Sequence, residues 1–174
     1  MYIPSQRNPL INDALNPLVN EALNPLMNDS LNPLVNEARN PLMNDAINPL
    51  VHESINPLMN DAINYLVNDS INPHVNEAIS PLANETLNPL INRAYPGLFF
   101  FTMHGTPAGF GVATDGDIVV VFSEILAHAG TAVPVGEMLM IFDVGNRWVG
   151  YLLPNGSGGY ARFDSSGQWV GYAH

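Results

Sequence analysis

The residues of this chain that could bind a metal or move a proton are five histidines and sixteen carboxylates. His52, His74, His104, His128 and His174 are nowhere paired at the i, i+3 or i, i+4 spacing of a metal site. His52 and His74 replace repeat residues, so in a parallel trimer each would form a three-fold ring around the axis, able to hold a metal or an anion. Asp115 and Asp117 flank Gly116 as in a calcium loop, but no downstream acid completes the set, and a turn is the expected reading. Glu137, Asp143 and Asp164 could supply a glycosidase-type carboxylate pair. Asp143 and Asp164 each precede a glycine-containing turn, and capping that turn explains them better. There is no Gly-x-Ser-x-Gly, His-Glu-x-x-His or Walker loop, and no cysteine. No catalytic residue, metal or cofactor is therefore expected. Trp148, Tyr151, Tyr160, Trp169 and Tyr172 could instead form a stacking surface for sugars or protein. The tryptophans are expected in the core, and Tyr151, Tyr160 and Tyr172 are the receptor-contact candidates.

The formal charge is −11, from five arginines, no lysine and sixteen acids. Such a chain repels phosphate backbones, which argues against nucleic-acid binding. No apolar run approaches the ~18 residues of a membrane span, and no basic leader precedes an apolar stretch; neither a span nor a signal peptide is expected.

Most of the candidate residues sit in or beside a repeat. Residues 8–95 are eleven uninterrupted octads, NPLINDAL, NPLVNEAL, NPLMNDSL and so on, with the consensus Asn-Pro-Leu-apolar-Asn-acid-small-apolar. Read as a strand, alternate residues give no clean apolar face. Read as a helix, Leu10, Ile11, Ala14 and Leu15 fall within an arc of ~140°, Asn8 is an N-cap and Pro9 takes the first helical position. The next proline then breaks or kinks the helix. Pro-kinked helical segments are favoured here, with an intertwined triple-stranded β-helix as the alternative. With no fold-back turn in the octads, their apolar residues need other chains to bury them. The expected assembly is an elongated, parallel homotrimeric stalk whose recurring asparagines form ladders between chains. Residues 1–7 lie outside the repeat and read as an N-terminal docking segment.

At Tyr95-Pro96-Gly97 the composition shifts to aromatics and glycine, and residues 96–174 read as an all-β head of about seven short strands. Two units within it repeat after 21 residues: Phe142-Asp143, four residues, Trp148-Val149-Gly150-Tyr151, then Phe163-Asp164, four residues, Trp169-Val170-Gly171-Tyr172. Each reads as a hairpin with Asp at the turn entry.

A rod of octapeptide repeats ending in a compact β head resembles the trimeric tail needles and tail fibres of bacteriophages. The resemblance is architectural and spans the whole chain, although puncturing spikes use Val-x-Gly octads and these octads carry Pro and no Gly. It implies a structural virion protein of the tail, without enzymatic activity. Its N-terminus would dock into a tail or portal hub, and its head would contact a host-surface glycan or protein. A cell-surface adhesin with a repeat stalk, or a small glycan-acting enzyme in the head, are the alternatives.

Overall fold

The computed structural model describes all 174 residues. The head is a closed antiparallel barrel in which every strand pairs with its sequence neighbour and the last closes on the first. Its strands are β1 (Leu98–Thr102), β2 (Pro107–Ala113), β3 (Val119–Phe122), β4 (His128–Val135), β5 (Met138–Asp143), β6 (Trp148–Pro154), β7 (Tyr160–Asp164) and β8 (Trp169–Ala173). There are eight strands rather than about seven. The β1–β2, β3–β4, β5–β6 and β7–β8 turns lie at one end, called lower here. The β2–β3, β4–β5 and β6–β7 turns lie at the other.

The two-unit repeat seen in the sequence is four units in the structure. Phe101, Phe122, Phe142 and Phe163 are each followed eight residues later by Gly109, Gly130, Gly150 and Gly171. The pairing register shifts by a bulge immediately before each phenylalanine. A Cβ on Gly109 would strike the carbonyl oxygen of Phe122, one on Gly130 that of Phe142, one on Gly150 that of Phe163, and one on Gly171 that of Phe101. The four units thus close as a ring, each glycine admitting the bulged backbone of the next. The turns agree too. Thr102, Ser123, Asp143 and Asp164 each accept a backbone N–H four residues on with their side-chain oxygen. Gly105, Leu126, Asn146 and Gly167 all take positive φ at the same place in each turn. The second and third units thus put a non-glycine, Leu126 and Asn146, in the left-handed region, which asparagine tolerates far better than leucine.

The large side chains are on the outside of this barrel. The lumen cluster draws on every strand and includes Phe100, Val119, Ala132, Leu139, Ile141, Leu152 and Ala173. The other six phenylalanines, with Tyr151 and Tyr172, belong to two other clusters on the outer wall, each completed by octad residues: Ile79 and Leu87 on one side, Ile47 and Ile63 on the other. A barrel wall of this kind would be insoluble bare, and the octads cover it.

They do so without a helix of more than three residues. This corrects the expectation of kinked helical segments, and no octad residue lies in a strand either. The proline breaks the helix as anticipated: Asn16, before Pro17, is extended at φ −91°, ψ 109°. The mid-octad asparagine breaks it a second time. Asn12 is extended as well (φ −108°, ψ 96°), and its Oδ1 accepts the N–H of Ala14, an Asx-type turn that competes with helix propagation. The result is one tight turn every four residues, alternating Asn-Pro-Leu-apolar with Asn-acid-small-apolar. The fifth-position asparagine also donates from Nδ2 to the carbonyl six residues back, as in Asn20 to Ala14, Asn28 to Ala22 and Asn68 to Ala62. The expected asparagine ladder therefore exists, but within one chain, stitching each octad to the one before.

Each octad is one coil of a belt. The proline in the second position is buried in ten octads, with Tyr65 buried in the remaining one, while the third and fourth positions are exposed. The eighth-position residue faces the barrel and is buried or half-buried throughout. The belt meets the hairpins in reverse order. Leu10 lies against Gly105 of the first hairpin and Leu34 against Gly167 of the fourth. Tyr65 donates to the Val144 carbonyl (2.6 Å) and Asn146 to Asn64 (2.7 Å) in the third. His74 packs on His128 of the second, and Tyr95 donates to the Gly111 carbonyl back on β2. The octads thus encircle the barrel once rather than extending from it.

Residues 1–7 close the ring. The N–H of Tyr2 donates to the Pro89 carbonyl, and Arg7 donates to the carbonyls of Tyr95, Gly97 and His174 (2.6–3.1 Å) while its guanidinium lies over Phe99. The expected docking segment is thus a clasp joining both ends of the belt to the end of β8. Of the apolar octad positions expected to need other chains, the eighth is buried on the chain's own barrel, together with the prolines, while the third and fourth stay exposed.

Candidate interaction sites

Two of the three receptor-contact candidates are inaccessible. Tyr151 is 0% and Tyr172 4% exposed, on the outer wall beneath the belt. Tyr172 stacks on Phe101 and Tyr151 on Phe163. Burial pushes the Tyr172 phenol up to about 12 and holds the Tyr151 phenol far above its ordinary range. The alternation that placed them near the surface had one face of each strand solvated, whereas both faces of these strands are buried: the lumen below, the belt above. Tyr160 is half-buried at the upper mouth. Of the tryptophans, Trp169 is buried and Trp148 half-buried. Each indole donates to the carbonyl two residues on, Gly150 and Gly171 (2.8 and 2.7 Å), and the His128 ring makes the same contact to Gly130 (3.0 Å).

The carboxylates are occupied as turn caps. Asp143 accepts the N–H of Gly145 and Arg147 and pairs with the Arg147 guanidinium (2.6 Å); the hydrogen bond from that side chain is the main reason its carboxyl sits below the ordinary range. Burial would push Asp164 up, but hydrogen bonds from Ser166, Gln168 and Gly167 outweigh it and hold it low. Both belong to lower turns. Glu137 lies in the β4–β5 turn at the opposite end, reaching Arg39 at 3.9 Å, so the three carboxylates do not converge. Asp115 and Asp117 bracket the β2–β3 turn. No group of three histidine or carboxylate side chains comes together. His74 and His128 do meet, rings 5.5 Å apart, and burial lowers the His128 pKa.

The upper mouth of the barrel opens into a cavity of about 600 Å³. Leu98, Val119 and Leu139 form its apolar wall, continuous with the lumen, and Tyr160, Asp117 and Glu137 stand around it. Deeper in the lumen Arg162 lies 5.9 Å from the Phe100 ring, and burial lowers its pKa. An apolar throat rimmed by a phenol and two carboxylates can take a small apolar or ring-shaped group and hydrogen-bond its hydroxyls or amines.

The chain matches no protein-family model, no curated protein and no solved structure. Its function must therefore be read from its own surfaces, and the lower end differs from the upper. The third-position residue of the octads turns toward the lower hairpin tips. Leu10 and Leu34 do so at Gly105 and Gly167, Leu50 and Leu58 beside Asn146 and Arg147, and His74 at His128. Positions five and seven turn the other way: Asn68, Ser70, Asn76 and Ala78 line a cleft with Thr114, Asp115 and Gly116 of an upper turn. The sixth-position acids, exposed in the first ten octads, lie between those positions. The belt is thus apolar below and polar above. The sequence showed which positions are apolar but not which way each would turn.

Proposed function

We propose that the chain is a structural virion protein of the attachment kind, without catalytic activity. Its upper barrel mouth contacts a host-surface glycan or protein, and its lower end faces the rest of an assembly. The observation that supports this reading is the chemical polarity of the molecule: an open cavity with Tyr160, Asp117 and Glu137 at one end, and a rim of exposed leucines at the other. An assembly component placed between a particle and a surface needs two unlike ends. The carboxylates that a glycan-acting enzyme would use are instead engaged in turn caps or separated by the barrel.

The test is binding of the labelled protein to a panel of bacterial cells and a glycan array, compared with Tyr160→Ala. Truncating an anchoring aromatic costs about 2 kcal/mol or more, roughly thirtyfold in affinity. Binding that survives Tyr160→Ala unchanged would remove the mouth as the contact, and turnover of a glycan would remove the structural reading itself.

A further inference from the structure

We infer that the lower end of the barrel is a self-complementary interface and that two copies of this chain pair across it, lower end to lower end. The inference rests on the functional reading above, in that it assigns the occupant of the end facing the assembly.

Ten of the eleven octads place a leucine at the third position, and these leucines are 44–76% exposed. Because third-position residues touch the lower tips of all four hairpins, the leucines form a rim around the lower mouth. Inside that rim, the tips add Ile125 (77% exposed) and Val144 (47%). At ~100 Å² each, the leucines alone present on the order of 1,000 Å² of apolar surface, above the few hundred Å² of an ordinary monomer patch and the ~800 Å² per partner of a stable interface.

Charge selects the occupant. The belt's acids lie toward the upper side, so pairing lower ends keeps most of two −11 chains' charge apart. Glu124, Asp143, Arg147 and Asp164 stand on the lower turns within the rim. A lipid surface would have to bury Glu124 with no cation beside it and take the Asp143–Arg147 pair and the Asp164 carboxylate out of water with it, which is costly. A second copy can match them. Glu124 and Arg147 are exposed on adjacent hairpins, the second and third. A two-fold axis running between these hairpins sets Arg147 of each copy opposite Glu124 of the other, the reciprocal contact that such symmetry requires. A ring of leucines also finds a ring of equal diameter on a copy of itself.

The test uses the full chain and light scattering at micromolar concentration. The expected mass is twice 18.9 kDa. Leu26→Asp with Leu58→Asp, both at strongly exposed rim positions, should give the single-chain mass with unchanged circular dichroism, the fold being kept while the stabilisation by pairing is lost. The neighbouring Met27→Asp with Met59→Asp, one position further round the coil, should leave the pair intact. Glu124→Arg and Arg147→Glu should each dissociate it, and the double variant should restore it. A single-chain mass for the unaltered protein, a mass of three or more chains, or a rim variant that stays paired would overturn the inference. So would flotation of the protein with phosphatidylcholine vesicles that Leu26→Asp abolishes. Cell binding through Tyr160 is read separately on the rim variants, so the loss of one reading leaves the other measurable.

Discussion

At Gly150 the lumen side of β6 lies against the Phe163 carbonyl, and any Cβ there must push the bulge of the next hairpin outward. The obstacle is backbone in a closed ring, not the flexible end of a side chain, so little relief is available. Gly150→Ala should cost ~2–3 kcal/mol and lower Tm by about 5–10 °C for a domain of this size. Gly116→Ala, whose added Cβ would meet nothing, should leave Tm within a degree or so of wild type by the usual behaviour of surface changes. Thermal melts of the two variants decide this; equal losses would mean that the ring of glycine–carbonyl contacts does not constrain the barrel. His128 gives a pH prediction. It faces His74, Tyr65, Phe122 and the Gly130 carbonyl, and burial lowers its pKa, with His74 adding in the same direction. As pH falls, the unfolded chain takes up this proton before the folded one. Its stabilising contribution is therefore whole above the ordinary histidine value of ~6.5 and declines as pH drops through it. His174, lowered by burial and by Arg7, acts with the same sign. Urea unfolding from neutral pH to pH ~5 should show falling stability, and His128→Gln should flatten the slope to the part that His174 leaves.

The octad as an element depends on asparagine in two ways that substitution can separate. Asn20 accepts the Ala22 N–H through Oδ1 and donates to the Ala14 carbonyl through Nδ2. Asn20→Ala removes both and should cost about 1 kcal/mol, as capping losses do. Asn20→Asp keeps the cap, loses the stitch to the previous octad, and should fall between. If Asp and wild type are equally stable in urea, the stitch contributes nothing. Far-ultraviolet circular dichroism of the intact chain should lack the paired α-helical minima, since no helical turn exceeds three residues.

For the whole molecule, belt and barrel stand or fall together. The barrel's outer wall carries Phe99, Phe101, Phe110, Phe122, Phe142 and Phe163 beneath the octads, so residues 96–174 expressed alone should aggregate or bind a hydrophobic dye strongly. A soluble barrel with native thermal stability would show that the belt is dispensable. The centre of the clasp is Arg7, whose guanidinium donates to three carbonyls from two parts of the chain, Tyr95 and Gly97 at the end of the belt and the C-terminal His174. Hydrogen bonds from a charged group are worth ~1.5–3 kcal/mol. Because the three share one side chain, Arg7→Ala should lose about 2–4 kcal/mol rather than their sum, with faster hydrogen exchange at the Tyr2 and Leu90–Tyr95 amides.

The sequence alone determined the β character of residues 96–174 and the break at each Asn-Pro, while the kinked helical segments expected between those breaks gave way to a second break at the mid-octad asparagine. Asn-Pro every eight residues forbids a long helix through steric rules that need no tertiary partner, and turn-capping Asp143 and Asp164 were legible from Asp preceding a glycine-containing turn. Two of the four hairpins were hidden because Pro107 and His128 stand where Trp148 and Trp169 mark the others; the phenylalanine-to-glycine spacing is the signal that survives in all four. Only the tertiary structure decided which side of each strand is lumen. Strands such as Met138–Asp143 are apolar on both faces, so period-two alternation is silent and Tyr151 and Tyr172 were misplaced. Only it decided, too, that the octads bury Pro and the eighth residue and expose Leu. Four apolar positions per coil compete for one inward arc, and the choice is made by closing eleven coils around a wall of fixed circumference. That constraint exists only once the barrel is there to be encircled.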